Sequence, residues 1–434
     1  MRHTPYQQAV ERRPRLLFLA YFFPPAGTIA SVRTWNLAKY LARLGWDITV
    51  VTPHPSIWRH VDHPERTNTD LSREGIRRIL THHRWRCLAP DHLKCWNRGI
   101  GWLAGGVCRR IARRFGIDKE LGWFKAAERA CSMLTPDDVD IILASGDPFL
   151  AFKLAKLLSD RLRRPYVLDY RDPWTGNLHA TQADRPATVQ LEARLLTHAA
   201  EVTIVSRAWS IAMDQRFALG PKLHVVSNGY DPNELEKVRP HDFGHFAIVY
   251  TGGFYPPKRV ISPVMAALER LKATTAGSTC SWYFHYYGIH EDHVRAEAQR
   301  FGVAERVVLH GRVPRAEALS AVCGAGVTVV ITAIAEKGTL ADNGMVTGKL
   351  FEALGLKTPI LLICPSESDA AAIIADAGVH ASFTGTDIDG MSRHLLQLMS
   401  GRIRPSQSAA PERYAWPELV KPLDALLRSH LLSI

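Results

Sequence analysis

Short apolar runs that alternate with helical stretches along the whole chain constrain its fold more than any other feature. In the first half these runs are "LLFLAYFF", "DITVVT", "DIILAS", "PYVLDYR", "EVTIVS" and "KLHVVSNG". In the second they are "FAIVYTGG", "WYFHYYG", "RVVLHG", "VTVVIT" and "TPILLI". Strands buried on both faces read as continuous apolar runs, and helical stretches between them supply crossovers, so the pattern predicts parallel sheets covered by helices on both sides. The stretch "SNGYDPNELEKVRPHDFGH", residues 227–245, is rich in Pro, Gly, Asn and charge, has no apolar period, and marks a joint. A chain of 434 residues is long for one core and ample for two. The expected fold is therefore α/β, with two doubly wound, Rossmann-like domains spanning residues 1–232 and 245–405. A final segment, 410–434, holds a helix with Leu419, Leu423, Leu426 and Leu427 on one stripe, an apolar face in need of a partner.

Composition excludes several classes. With 46% hydrophobic and 22% charged residues and no low-complexity tract, the chain is not a disordered one. Its seven cysteines (Cys87, Cys95, Cys108, Cys131, Cys280, Cys323 and Cys364) form no CxxC pair, and an odd, scattered set points to a reducing cytoplasm. His60/His63 and His290/His293 lack the Cys or carboxylate spacing of a zinc site and read as loop residues. The opening "RRPR" before "LLFLAYFF" imitates a secretory signal, but "FFPPAG" offers no small-residue cleavage site and the pattern runs on into the amphipathic stretch "ASVRTWNLAKYLARLG". Leu16 to Phe23 is thus expected as a first buried strand. No run approaches the ~20 apolar residues of a membrane span.

The net charge of +12 is concentrated at the start: residues 1–120 carry 21 Lys+Arg against 9 Asp+Glu, and the rest of the chain balances. Within a stretch from about 58 to 115, Arg84, Arg86, Lys94, Arg98, Arg109, Arg110, Arg113 and Arg114 interleave with Trp85, Trp96, Trp102, Ile111 and Phe115. Basic residues beside Trp suit an anionic membrane surface. A solvated basic face over buried aromatics is the alternative, and the two stay open here. No nucleic-acid motif accompanies the charge, so nucleic acid is not an expected partner.

Ligands of doubly wound sheets bind outside the carboxyl ends of the strands. Asp138 and Asp140 precede their strand, and Asp387 and Asp389 are isolated, so all four read as turn and cap residues rather than metal ligands. At the favoured edge lie "PPAGTIAS" with Gly27, "SGDPF" with Ser145, Gly146 and Asp147, and "DYRDPW" with Arg171 and Asp172. In the second half "TGGFYPPKR" supplies Gly253, Lys258 and Arg259, and "DNGMVTGKLFEALG" opens a helix with Asn343, Gly344, Met345, Val346, Thr347, Lys349 and Glu352. A helix N-terminus exposes unpaired amides and a partial positive charge. Lys349 in that first turn opposes the helix field, an arrangement that makes sense around a diphosphate. Glu352, one turn on, stands where a carboxylate can accept both hydroxyls of a ribose. Taken alone, Lys349 and Glu352 also fit an exposed pair worth a few tenths of a kcal/mol.

In their order these motifs, with "LEARLLTHAAEVTIVSRAW", "VVSNGYDP" and "LHGRVP", resemble the retaining glycosyltransferases of family 4, which have the GT-B fold; the likeness runs over nearly the whole chain. The resemblance implies two domains facing a cleft, with the nucleotide sugar on the C-terminal domain and the acceptor on the N-terminal one. It implies neither metal nor cofactor, and a last helix that crosses back to the N-terminal domain. By position, Lys258 matches the diphosphate-holding lysine, Glu352 the ribose-gripping glutamate and Gly27 the acceptor-side loop, with Asn228 at the hinge. Three positions depart from the family pattern: Gly344 replaces a glutamate, Gly253 an arginine, and Arg171 a histidine. Backbone amides of Asn343 to Val346, with Arg259 or Lys349, would then serve the donor. Lys258 would stabilise the departing phosphate, with Arg171 and Asp172 on the acceptor side. The expected activity is retaining transfer from a nucleotide sugar to a glycan, lipid-linked or small-molecule acceptor, by a cytoplasmic enzyme peripheral to the membrane in polysaccharide or cell-envelope assembly. A nucleotide-sugar epimerase of the same architecture and a non-catalytic nucleotide- or glycan-binding partner are the alternatives.

Overall fold

The computed structural model describes residues 12–58, 68–83, 120–176, 185–377, 381–402 and 412–431. The basic, Trp-bearing stretch from Arg84 to Phe115 lies outside them.

Two parallel sheets organise the described chain. The first contains β1 (Arg15–Ala20), β2 (Asp47–Pro53), β3 (Ile76–Thr81), β4 (Ile141–Gly146), β5 (Tyr166–Tyr170), β6 (Glu201–Ile204) and β7 (Leu223–Val225), in the order β3-β2-β1-β4-β5-β6-β7. The second contains β8 (Phe246–Thr251), β9 (Trp282–Tyr287), β10 (Val307–Leu309), β11 (Val327–Ile331), β12 (Ile360–Ile363) and β13 (Ala381–Phe383), in the order β10-β9-β8-β11-β12-β13. Both orders reverse once, at β1/β4 and at β8/β11, and these switch points are where such sheets take ligands. The expected first strand stops at Ala20, because Pro24 and Pro25 follow and cannot donate to a ladder.

By compactness the chain divides into residues 1–169 with 198–201 and 424–434, and residues 170–197 with 202–423. In the first unit the helix Ile29–Arg43 is buried along most of its length, including Arg33, Asn36 and Lys39. Arg33 accounts for its burial by donating to both oxygens of the fully buried Asp169, at 3.1 and 2.6 Å, while Ser145 Oγ donates to Asp169 at 2.8 Å. This charge-assisted network ties the ends of β4 and β5 to that helix. Asp140 and Asp138 serve as structural acceptors at the other edge, Asp140 from Arg12 and Arg15 and Asp138 within a capping box with Thr135.

In the second unit successive residues of β8 serve opposite faces. Ala247 and Val249 pack with Leu350, Phe351 and Leu354, whereas Ile248 and Tyr250 pack with Leu268, Trp282 and Met391. The helix Gly348–Gly355 therefore buries Leu350, Phe351, Ala353 and Leu354 against the sheet. Lys349 and Glu352 fall on its remaining stripe, which is how two charges survive in a segment that packs so closely.

Candidate functional site

The switch point of the six-stranded sheet lies between the loops that follow β8 and β11. The β8 loop is pinned from three sides: Tyr250 Oη donates to Gly253 O at 3.1 Å, Tyr286 Oη to Gly252 O at 3.0 Å, and Phe254 N to His290 Nδ1 at 2.9 Å. His290, expected as a plain loop residue, is thus a structural partner of the glycine turn, a role that only the fold reveals. Tyr255 and Arg259 exchange backbone hydrogen bonds of 2.9 and 3.0 Å, which closes the loop and sets Lys258 at its tip.

Lys258 reaches Asp342 Oδ1 at 2.7 Å. Asp342 is 4% exposed and also closes a capping box with Thr339, whose backbone N–H and Oγ1 donate to Oδ2 at 3.1 and 2.8 Å. Burial pushes the Asp342 carboxyl up, but the hydrogen bonds from Lys258 and Thr339 outweigh it and hold the group below the usual carboxylate range. Asp342 was absent from the sequence-derived set, although Thr339-x-x-Asp342 is a readable capping signal.

The next turn brings the remaining donor-side residues together. Arg259 Nη2 lies 2.9 Å from Met345 Sδ, and its guanidinium stands over the Tyr255 ring. The Lys349 ammonium lies over the Tyr250 ring, 5.1 Å from its centroid, and abuts the Cα of Gly252 so closely that a Cβ there would collide with it. Gly252 also has φ of +103°, so both its backbone and its neighbour demand glycine. Burial first, and Arg259 second, lower the Lys349 pKa to about 8, with Glu352 opposing. Arg259 Nε, Thr332 Oγ1, Asn343 Oδ1 and Thr347 Oγ1 are all buried with no hydrogen-bond partner. Thr347 is the N-cap of the Gly348–Gly355 helix and makes no side-chain cap bond, so the hydroxyl that should close the helix start is idle. Unpaired buried polar atoms are costly and call for an occupant. Three cations, one of them paired with Asp342, a helix N-terminus and these orphaned groups at a switch point have the chemistry to take a polyvalent anion.

Glu352 does not stand free beside it. Its carboxylate accepts from Arg315 Nη2 at 2.7 Å, and Arg315 Nη1 lies 3.2 Å from Glu234. Arg315 starts the helix Arg315–Gly324 and was missed, since a partner 37 positions away leaves no local signal. Gly253 faces the His290 ring. Gly344 is buried against the Trp209 indole, which fills the space a side chain would need.

The remaining sequence candidates follow strands of the seven-stranded sheet. Gly27 follows β1 and is partly buried; Ser145, Gly146 and Asp147 end β4, with Gly146 packed against Phe149 and Phe152. Arg171 and Asp172 follow β5, Asp172 exposed and Arg171 half-buried. Beneath them Glu192, 1% exposed, accepts from Thr175 N at 3.1 Å. Burial raises its pKa to about 7 against the pull of Thr175, Tyr170 and Arg216. Asn228 lies in a connection stitched to the C-terminal segment, where Tyr230 N donates to Tyr414 O at 3.0 Å and Trp416 N to Tyr230 O at 2.9 Å.

The profile of the "Glycosyl transferase 4-like domain" family matches residues 30–229. Comparison with curated proteins returns no sequence match. Among solved structures, sucrose-phosphate synthase from Thermosynechococcus elongatus is similar at 13% identity and a TM-score of 0.67, over 97% of this chain and 100% of that one. HepE from Anabaena, solved with UDP and glucose, is similar at 14% identity and 0.60, over 96% and 100%. The lipopolysaccharide outer core galactosyltransferase WaaB follows at 12% and 0.57, over 96% and 99%. These likenesses establish the GT-B fold. No helix among the described residues is long and apolar enough to cross a membrane.

Proposed function

We propose that this protein is a glycosyltransferase that moves a sugar, with retention of anomeric configuration and without a metal ion or other cofactor, from a nucleotide-diphosphate sugar to an acceptor hydroxyl. The observation that carries this reading is the set of orphaned buried polar atoms beside Lys258, Arg259 and Lys349 at the start of the Gly348–Gly355 helix. HepE, a protein of the same fold, is solved with UDP-glucose, which supports a nucleotide sugar as donor. Residues 245–405 would hold the donor. The diphosphate would lie on the amides of Asn343 to Val346 and on Thr347, and the ribose would lie near Glu352, oriented by Arg315.

In the transfer step the acceptor oxygen bonds to the anomeric carbon as the bond from that carbon to the diphosphate oxygen breaks. The acceptor proton passes to the departing phosphate on the same face. The protein's part is electrostatic: Lys258, Arg259, Lys349 and the helix amides stabilise charge growing on the leaving group. Asp172 and Arg171 would orient the acceptor at the end of β5. Acceptors on an anionic membrane surface, in cell-envelope polysaccharide assembly on the cytoplasmic side, suit the basic start of the chain.

Calorimetry with UDP, GDP, ADP and dTDP, then transfer assays with the matching sugar donors, tests this reading. One nucleotide should bind, and Lys258→Ala should weaken it by about tenfold or more, the scale of a lost charge-assisted contact. Failure of every nucleotide diphosphate to bind would refute the assignment. Gly253 and Gly344, in place of two charged family residues, favour a second reading, a nucleotide-binding partner without turnover. Binding with no transfer or hydrolysis across an acceptor panel would select it.

A further inference from the structure

Gly344 has an ordinary φ of −79°, so its backbone does not require glycine. What requires it is Trp209: a Cβ at position 344 would fall inside van der Waals contact of three indole atoms. Trp209 is 7% exposed, and its Nε1 donates to Ala341 O at 2.9 Å. Ala341 belongs to Leu340–Asn343, a single helical turn, and one turn does not hold itself together in water. Three ties support that turn: the Thr339–Asp342 capping box, the Lys258–Asp342 ion pair, and the indole of Trp209. The helix that carries Trp209, Arg207–Phe217, is itself fixed at its N-terminus. Its Ser206 makes no side-chain cap, and the Asp369 carboxylate accepts Ala208 N at 2.8 Å in its place. Trp209 therefore reaches the turn from an anchored support, and it sets the height and tilt of the chain that runs from Ala341 into Thr347.

We propose that Trp209 is a positioning residue for the donor site, one half of a size-matched pair with Gly344 that fixes the amides of residues 343–347. This rests on the donor reading above. The side-chain space at position 344, which a charged residue would use to reach a ligand, is occupied by a buried ring. Recognition next to it falls to main-chain amides whose placement depends on that ring.

A double-mutant cycle tests the pair, read by nucleoside-diphosphate affinity with the best-binding base and by hydrogen exchange of residues 340–349. Trp209→Ala should weaken binding about tenfold and speed exchange in 340–349 ahead of the rest of the chain. Trp209→Phe, which keeps an aromatic ring but loses the indole N–H and the five-membered ring that faces Gly344, should recover part of the affinity and leave exchange in 340–349 faster than in wild type. Gly344→Ala should be as harmful as Trp209→Ala, yet nearly harmless when added to it, because the clash vanishes with the ring. A purely structural role would lower the melting temperature and leave affinity and the local exchange pattern alone. Equal binding by wild type, Trp209→Phe and Trp209→Ala, or additive losses in the cycle, would overturn the proposal while the donor site stands. If Trp209→Ala does not fold, unchanged exchange in 340–349 of Trp209→Phe does the same. A wild type that binds no nucleoside diphosphate removes the donor reading, and this inference with it.

Discussion

Lys349 carries a cation where helix field, burial and the neighbouring Arg259 all oppose one, and its pKa of about 8 reflects that conflict. A folded pKa depressed below the unfolded value contributes stability only above the unfolded value, lost as pH falls from about 10.4 through about 8. At pH 7 the folded protein therefore holds that charge at a cost. Lys349→Met, similar in length and uncharged, should raise the melting point of the ligand-free protein, by about 1–2 kcal/mol of stability. The same variant should bind nucleoside diphosphate much more weakly. An anion raises the pKa of the lysine it pairs with, so wild-type affinity should fall as pH rises from 8 to 10 and that slope should be absent in the variant. Calorimetry across pH checks both; a variant that is no more stable and keeps the slope would remove Lys349 from the site. At this scale the sequence disclosed Lys258, Arg259 and Lys349, because glycine turns and a helix start are local signals. It did not disclose Arg315, Trp209 or His290, whose partners lie far along the chain, and it overlooked Asp342 although its cap was local.

Among elements, the Leu340–Asn343 turn is short and consequential, since it carries the Asp342 that meets Lys258. Thr339 supplies its cap through both the backbone and Oγ1. Thr339→Ala should cost about 1 kcal/mol of stability, the usual loss for a removed N-cap. It should also cost donor affinity, because a loosened Asp342 no longer holds Lys258, and Thr339→Ser should restore both. Denaturant titration beside nucleotide calorimetry makes the test, and a stability loss without an affinity loss would show that the turn is scaffold only. Element legibility followed burial. The double-sided strands of both sheets appear as apolar runs, whereas β3 and β13 had no such run. β3, "IRRILT", is an edge strand with two arginines and alternates irregularly between buried and exposed; β13 is three partly exposed residues at an edge of the second sheet. Charge in β3 and the brevity of β13 leave no apolar run to read, whereas the edge strands β7 and β10 keep Val and Leu and were legible.

For the whole molecule, alternation was enough to read two doubly wound sheets, and the carboxyl-end rule chose the edge at which the candidate site was sought, since both follow from chain-level constraints on parallel β-structure. The last helix, Trp416–Ser429, was legible as an apolar stripe; its polar attachments were not, because they span nearly the full chain. Trp46 Nε1 donates to Asp424 Oδ1 at 2.6 Å, Arg428 Nη2 to Leu44 O at 2.7 Å, and His430 meets Glu201 at 2.9 Å. All of these lie within the unit formed by residues 1–169, 198–201 and 424–434. Trp46 is 2% exposed, so its N–H has no route to water when the acceptor is lost. Asp424→Ala should therefore destabilise by about 1–3 kcal/mol, the cost of an orphaned buried donor. Asp424→Asn, which keeps an acceptor oxygen, should recover most of it. The loss belongs to the first unit, so nucleotide affinity in the second should stay unchanged while hydrogen exchange quickens around residues 44–47. Equal stability of Asp424→Ala and wild type would mean that the apolar stripe alone, with Val420, Leu423 and Leu427 buried, secures the end of the chain.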